Sequence, residues 1–479
     1  MGAVTFGPIL EGSNTDPDGG QIFPAKYSFD VTANPDCTND FVTLGLPATP
    51  VADGQANIVG YNNLYSAPNG SGFCTGTGPN VLFAYASGTG EVPGSIALSP
   101  DGKKLAYIED LLSGSSYFHV LQWETGDGTD STHAIVPGAG NPNATDVTVL
   151  LSPDGGTTNQ SSTTSPFIDY TNDAAYVTTY SWASGGSGYL YKISPVFGPG
   201  TPMIVWSVAV GCGAPSSVPS SPVYDSVSQH VLFTDTGARI DYVADTGGTP
   251  TVVCGPQYTF DNTAANPPEV DSTNQFVYAS FNNDEANEFV VETSTTPTGS
   301  FTMNAGVGST TYTSPYGVDF SNDYYNCNTS LAPCAGSPVM YAAGTDSSTG
   351  AVPTLYSQPI ASDLDFSGAP GSTPLATGAA DSSPVTEFYN VTASTDYLFV
   401  GVTDNCAATA EGGTGGCVMS LNITGGAPTI TSTTTAISAE GGSTGIVIDN
   451  DSNDPQASSI YYATKTGGTL VKATQAGLN

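Results

Sequence analysis

A short block of sequence returns along this chain at a nearly fixed interval, and that interval limits the fold more than any other feature. Ser165-Pro166-Phe167-Ile168-Asp169 leads to Ala175-Tyr176-Val177, and Ser221-Pro222-Val223-Tyr224-Asp225 leads to Val231-Leu232-Phe233. Pro268-Glu269-Val270-Asp271 leads to Phe276-Val277-Tyr278; Ser314-Pro315-Tyr316-Gly317-Val318-Asp319 follows, then Ser383-Pro384-Val385-Thr386 ahead of Tyr397-Leu398-Phe399-Val400. An earlier copy, Gly94-Ser95-Ile96-Ala97-Leu98-Ser99-Pro100-Asp101-Gly102, precedes Leu105-Ala106-Tyr107. The aspartates at 169, 225, 271 and 319 are 56, 46 and 48 residues apart. A period of that size is one supersecondary unit repeated, each copy burying its apolar face against the next.

Within a copy, a first short apolar strand meets a polar turn, then a strand rich in Val, Tyr and Phe. A third follows, such as Gly188-Tyr189-Leu190-Tyr191-Lys192-Ile193, and a fourth, such as Met203-Ile204-Val205-Trp206-Ser207-Val208. Four antiparallel strands per repeat make one propeller blade. A β-sandwich array would also give short strands, but its period is about 100 residues. Charged residues are only 10% of the 479, while glycines, prolines and aromatics are plentiful, a composition suited to strands and turns rather than helices or disorder. The expected fold is all-β, a β-propeller of seven or eight four-stranded antiparallel blades, with eight favoured.

The ends fit the same scheme. Residues 24–90 read as a first blade, with strands near Tyr27–Val31, Phe41–Leu46, Ala56–Tyr61 and Val81–Tyr85. The last copy runs from Gly445-Ile446-Val447-Ile448-Asp449 through Ile460-Tyr461-Tyr462 to Thr469-Leu470-Val471-Lys472 and is one strand short. Residues 1–23 form an N-terminal segment outside the propeller proper at 24–479, and Val4-Thr5-Phe6-Gly7-Pro8-Ile9-Leu10 is apolar enough to supply the missing outer strand. Without it the last blade would present an open, aggregation-prone edge. Val4, Phe6, Ile9 and Leu10 are therefore the expected assembly residues: inserted in their own chain they close the propeller, and inserted in a neighbour they build a head-to-tail filament.

Leu98-Ser99-Pro100-Asp101-Gly102-Lys103-Lys104-Leu105-Ala106-Tyr107 resembles the repeat of the PD40 or WD40-like bacterial propellers, and the recurrent Ser-Pro strand starts are similar to those of quinoprotein-like propellers. The resemblance implies a fold and not an activity. Quinone-binding features are not evident, because no two cysteines are adjacent and Trp123, Trp182 and Trp206 do not recur blade by blade.

The eight cysteines fall into sequential pairs, Cys37 with Cys74, Cys212 with Cys254, Cys327 with Cys334 and Cys406 with Cys417. With no C-x-x-C and almost no histidine to make a metal site, they read as four local disulfides, which places the chain outside the cell or in a periplasm. No apolar run is long enough to cross a membrane as a helix, and Met1-Gly2-Ala3-Val4 lacks the basic start and apolar core of a signal peptide. The expectation is that a signal has been removed. Seven basic against 43 acidic residues give a formal charge of −36, which repels nucleic acid and anionic lipid surfaces. Such a surface favours solubility, cations, or tolerance of acid and salt.

Catalytic groups are scarce. His119 lies in an alternating strand and His230 beside one, so both read as structural; His133 follows an acidic loop. There is no Gly-x-Ser-x-Gly elbow, zinc-binding His-Glu-x-x-His or phosphate loop. Carboxylates remain: Glu269, Asp284, Glu285 and Glu288 are candidates for a glycosidase pair, with a solvated acidic loop as the plainer reading. Closely alternating Asp and Asn oxygens suit calcium, which makes Asp449, Asp451, Asn453 and Asp454, and Asp16 and Asp18, candidate ligands and calcium the candidate cofactor. The repeated Asp169, Asp225, Asp271 and Asp319 read as caps of one recurring turn. No residue is assigned a catalytic role. The functional expectation is an extracellular non-enzymatic binding or self-assembly protein, its partner a second copy of itself or an extracellular ligand such as a polysaccharide. The alternative is a secreted carbohydrate-active enzyme, a glycosidase or lyase, using acidic residues or calcium in a central funnel. A quinone- or nucleotide-dependent oxidoreductase ranks last.

Overall fold

A computed structural model describes residues 2–5, 22–29, 35–67, 69–111, 114–156, 160–181, 186–212, 218–258, 266–283, 287–297, 299–306, 316–329, 333–346, 350–408, 415–431, 434–450, 454–466, 469–474 and 478. After β1 (Gly2–Thr5), blade 1 is β2 (Ala25–Tyr27), β3 (Phe41–Gly45), β4 (Ile58–Asn62) and β5 (Asn80–Tyr85). Blade 2 is β6 (Ala97–Leu98), β7 (Lys104–Asp110), β8 (Ser116–Gln122) and β9 (Thr145–Leu150); blade 3 is β10 (Phe167–Asp169), β11 (Ala174–Thr179), β12 (Tyr189–Ser194) and β13 (Met203–Ala209). Blade 4 is β14 (Val223–Asp225), β15 (His230–Asp235), β16 (Arg239–Ala244) and β17 (Val252–Val253), and blade 5 is β18 (Glu269–Asp271), β19 (Phe276–Asn283), β20 (Asn287–Ser294) and β21 (Phe301–Gly306). Blade 6 is β22 (Val318–Phe320), β23 (Val339–Asp346), β24 (Val352–Pro359) and β25 (Gly371–Pro374), with the one-turn helix α1 (Asn322–Tyr325) after β22. Blade 7 is β26 (Thr386–Asn390), β27 (Thr395–Val402), β28 (Cys417–Asn422) and β29 (Thr435–Ser438). Blade 8 is β30 (Val447–Asn450), β31 (Ser458–Ala463) and β32 (Thr469–Thr474), completed by β1.

Each sheet has four strands paired antiparallel, in chain order except where β1 joins β32. The protein is an all-β propeller of eight blades, as the repeat predicts. Its contacts divide the chain into two units, Met1–Ser13 with Ile22–Val210 and Ile446–Asn479, and Asn14–Gln21 with Gly211–Gly445. The first unit holds blades 1, 2, 3 and 8, and the second holds blades 4 to 7.

The recurring turn explains the recurring aspartate. At the end of β10, Asp169 Oδ1 accepts the backbone N–H groups of Thr171 and Asn172, and Asp271 Oδ1 those of Thr273 and Asn274; Asp225 takes the Val227 N–H on Oδ1 and the Ser228 N–H on Oδ2. The residue four places on, Asp173, Gln229 or Gln275, then has φ of 50°, 57° or 63°, a left-handed conformation held because the carboxylate ties the turn in front of it. Asp319 departs from the expectation. Its turn is replaced by α1, and its carboxylate instead accepts the backbone N–H groups of Phe320 and Glu387 and the Tyr325 hydroxyl.

Cores lie between neighbouring blades. Phe41, Phe83 and Trp123 join blades 1 and 2, Tyr278 and Phe320 join blades 5 and 6, and Tyr341 and Leu398 join blades 6 and 7. The four cysteine pairs are all disulfides, as the sequence predicts. No helix among the described residues is long and apolar enough to cross a membrane.

Candidate ligand pocket and buried ionic clusters

β18 and the turn after it form one wall of a 370 Å³ pocket, and β22 with α1 forms the other. The wall from blade 5 supplies Glu269, Asp271, Ser272, Thr273, Asn274 and Tyr278; the wall from blade 6 supplies Val318, Phe320, Tyr324, Tyr325 and Cys327. Strand periodicity puts Glu269 and Asp271 on the same face. The lost turn at Asp319 is what makes the opposite wall, because α1 delivers two tyrosines where other blades have a short polar loop.

The two carboxyl groups differ. Asp271 is fully used: Oδ1 accepts two backbone N–H groups, and Oδ2 accepts Asn274 Nδ2 at 2.7 Å and the Tyr324 hydroxyl at 2.8 Å. Tyr324 also shares a 3.0 Å hydrogen bond with Tyr278. Glu269 is under-used. Its Oε1 accepts the Val318 N–H at 3.2 Å, while Oε2 is buried with no hydrogen-bond partner. Burial pushes its pKa up to about 8, against the lowering effect of the Val318 hydrogen bond and with a further rise from Asp319. The rings of Tyr324 and Tyr325 stand at 87° with centroids 6.1 Å apart, and Phe320 is at 84° to Tyr325. Tyr325 is 56% exposed, so this wall is open to solvent.

Further carboxylates gather on the neighbouring blade. Asp396 Oδ2 accepts the Asn322 N–H at 2.9 Å, and Glu387 is raised well above the usual range by burial and by its hydrogen bond to Asp396. Asp396 and Asp319 both add to the rise at Glu387, and Asp396 adds to the rise that burial causes at Asp319.

Two clusters in the other unit are structural in form. His119 is fully buried between Glu109 on β7, 2.9 Å from Nε2, and Asp146 on β9, 3.0 Å from Nδ1, and its ring stacks on Tyr107. Burial lowers its pKa, but the bonds to Asp146 and Glu109 outweigh that and lift it to about 9. Ser87 donates to Asp146 and not to the imidazole, so the group is a buried ion cluster and not a nucleophile with its base. In the second cluster Lys26 Nζ lies 3.0 Å from Asp449, with both side chains nearly dry, and 3.1 Å from the Tyr65 hydroxyl; Tyr65 also donates to Asp40 at 2.7 Å. Lys472 sits beside it, bonded to the Leu64 carbonyl oxygen, its pKa lowered by burial to about 8.

The sequence-predicted residues are distributed as follows. Glu269 is in the pocket, Glu288 lies on β20, and Asp284 and Glu285 fall outside the described residues. Of the calcium candidates, Asp449 is turned to Lys26 and Asp454 is described, whereas Asp451, Asn453, Asp16 and Asp18 lie outside the described residues. Val4 pairs with Leu470, within a register that runs from Gly2↔Lys472 to Thr5↔Thr469. The strand thus begins earlier than expected, and Phe6, Ile9 and Leu10 lie outside the described residues. His230 stacks on Tyr242 and bonds the Thr295 carbonyl, while His133 is exposed beside Asp130. Sequence reasoning missed Tyr278, Phe320, Tyr324 and Tyr325; the available signal was the run Asp323-Tyr324-Tyr325-Asn326-Cys327 directly after a repeat aspartate. Cys212, Asp241 and Cys254 converge as metal ligands could, but the two sulfurs are joined in a disulfide.

No protein-family profile matches the chain, and no curated protein matches it. Its structure is similar to that of dihydro-heme d1 dehydrogenase NirN in complex with DHE, at TM-score 0.44 and 10% identity; 88% of this chain is covered, and it spans 65% of that chain. Nearer in shape are Sqt1 of Chaetomium thermophilum, at TM-score 0.51 and 10% identity over 92% of both chains, and the Dos1 propeller, at TM-score 0.52 and 12% identity over 98% of this chain and 95% of that one. At these identities the likeness of the last two establishes the propeller fold alone.

Proposed function

We propose that this chain is an extracellular, non-enzymatic binding protein that holds a small ligand between blades 5 and 6. The observation that carries this reading is the 370 Å³ pocket, walled by four aromatic rings and floored by a carboxyl group with an unused oxygen. Its dimensions and its mixture of apolar walls with a few polar groups are those of a small-molecule site. The four disulfides support an oxidising location. A glycosidase would need two carboxyl groups free to act on one bond, and here Asp271 is consumed by its turn and by Tyr324. The test is a titration of small amines, sugars and polyols by calorimetry or ligand-observed NMR. Ligands of the pocket lose binding in Tyr325→Ala, whose side chain is exposed, and keep it in Tyr325→Phe, which loses only the hydrogen bond to Asp319. Binding unchanged in that variant overturns the reading.

A second reading, self-assembly, is favoured by β1, which completes blade 8 through backbone pairing from the far end of the chain. The same four-residue register donated by a neighbour builds a head-to-tail filament. Electron microscopy of the full chain and of a chain lacking residues 1–12 tests it: filaments that vanish on truncation support it, and monomers from both refute it.

A further inference from the structure

We propose that the ligand of the pocket between blades 5 and 6 is an organic cation, an amine or quaternary ammonium group seated against Tyr324, Tyr325 and Phe320 with Glu269 as its counter-charge. The inference rests on the pocket being a ligand site and adds the class of ligand. Three observations carry it.

The first is the floor. Glu269 Oε2 is buried without a hydrogen-bond partner, and no basic residue lines the pocket. A buried carboxyl group left unmatched is unfavourable unless something brings it a proton or a positive charge. The charged groups facing it are Asp271 on its own strand and Asp319 on β22, both acidic, with the Tyr278, Tyr324 and Tyr325 side chains around them. Among the described residues no positive group answers its charge.

The second is the wall. Tyr324 and Tyr325 meet nearly at right angles, Phe320 is almost perpendicular to Tyr325, and Tyr278 is at 77° to Tyr324. Phe320 and Tyr324 are stacked face to face at 4.1 Å and nearly buried, so the aromatic surface open to a ligand is chiefly that of Tyr325, backed by the edges of the other rings, and such a surface attracts cations. A metal ion would want six to eight oxygen ligands in place of these rings.

The third is the field. Of the seven basic residues, Arg239 alone falls between residues 211 and 445. That stretch repels phosphates, sulfates and carboxylates and concentrates cations. A neutral sugar gains nothing from it.

The experiment compares choline with 3,3-dimethylbutan-1-ol, which has the same shape without the charge, alongside glucose and calcium chloride, by calorimetry on the full chain. The expected result is that choline binds at least about tenfold more tightly than its neutral analogue, and that its affinity rises between pH 6 and pH 9 as Glu269 ionises. Glu269→Gln removes that preference and that pH dependence while leaving the analogue's weak binding. Tyr325→Ala weakens both compounds, whereas Tyr325→Phe, which loses the same hydrogen bond to Asp319 but keeps the ring, retains them, and this pair keeps the test valid should the glutamine variant fold poorly. Equal binding of choline and its analogue overturns the inference, as does binding of glucose or calcium in preference to choline. In those cases sensitivity to Tyr325→Ala leaves the pocket standing as a ligand site. No binding of any of the four overturns the inference as well, and a wider screen insensitive to Tyr325→Ala then removes the site itself.

Discussion

Replacing Lys26 with methionine keeps the length and most of the volume of the side chain and removes only its charge and donors, which isolates the ion pair that ties blade 1 to blade 8. Lys26 Nζ and Asp449 are 3.0 Å apart, with side-chain exposures of 6% and 2%. At an effective dielectric of about 20 the Coulomb attraction at that distance is about 5 kcal/mol. Desolvation offsets part of it, yet removing one partner strands the other, and such losses run at about 3–5 kcal/mol. Asp449 keeps only the weaker attraction of Lys472 to fall back on, because its Tyr461 contact is 3.4 Å long and Asp40 is a like charge nearby.

Burial already raises the Asp449 pKa, while Lys26 and Lys472 pull it down. Without Lys26 it rises further. A carboxylate whose folded pKa exceeds its unfolded value binds extra protons in the native state, so its contribution to stability is lost as pH rises from about 4 through the folded pKa. The penalty of Lys26→Met is therefore smaller at pH 4 than at pH 8, because the raised pKa of Asp449 brings in its charge only as pH climbs. A protein of this size need not unfold in one step, so the assay is amide exchange along β31. At pH 8 a penalty of about 3–5 kcal/mol corresponds to opening about 10² to 5 × 10³ times more often. The double variant Lys26→Met/Asp449→Asn recovers part of the loss. A penalty below about 1 kcal/mol at pH 8, or one equal at both pH values, refutes the reasoning.

Burial lifts Glu292 and Asp241 to about 8, each with acidic neighbours adding to the rise, so the native state binds more protons than the unfolded chain from about pH 4 to pH 8. The melting temperature is accordingly higher at pH 5 than at pH 8.5 by at least about 5 °C, and Glu292→Gln flattens that slope; a melting point that climbs with pH contradicts the assignment. His119, raised to about 9, adds stability that is complete below its unfolded value near 6.5 and disappears as pH climbs through 9. Its ring is doubly protonated at pH 7.5 in nitrogen-detected NMR, and His119→Gln destabilises blade 2 by about 3 kcal/mol at that pH. A neutral ring at pH 7.5 rules this out. Reduction of Cys212–Cys254, which spans 42 residues, lowers stability by about 3–4 kcal/mol on loop-entropy grounds, measurable as increased amide exchange in blade 4.

The fold was legible because its signal is local. An aspartate that ties down the next turn also fixes the left-handed residue after it, so Asp169, Asp225 and Asp271 mark the same place in three blades and set the period. The disulfides were legible for a similar reason, since each pair is close in sequence. Glu269 was legible as a carboxylate, but not as the floor of a pocket. The opposing wall exists because the fourth copy breaks the rule: Asp319 gives up the turn, α1 takes its place, and Tyr324 and Tyr325 arrive facing blade 5. A pattern reader weights what recurs, whereas a site is built where recurrence fails. The pairing of Lys26 with Asp449 was hidden for the opposite reason, as two residues near opposite ends of the chain meet only when the propeller closes.

The buried ionisable groups divide by the sign of their shifts. Glu269, Glu292, Asp241 and His119 all have pKa values raised by the fold, so each holds a proton longer in the native state than in the unfolded chain. Lys472, lowered to about 8, runs the other way and favours the native state only as pH rises above that value, and Glu109 and Asp225, where burial is outweighed by hydrogen bonds that lower the pKa, add stability that is lost in acid. The sum leans toward acid, the same direction in which protonation relieves the self-repulsion of a chain with charge −36. Two of the seven basic residues are spent inside the junction of blades 1 and 8, leaving few to balance the surface. A molecule built this way gains stability from protons in its interior and keeps its unprotonated sites for cations, so that acidification tightens the fold while it empties a pocket whose ligand answers to an ionised Glu269.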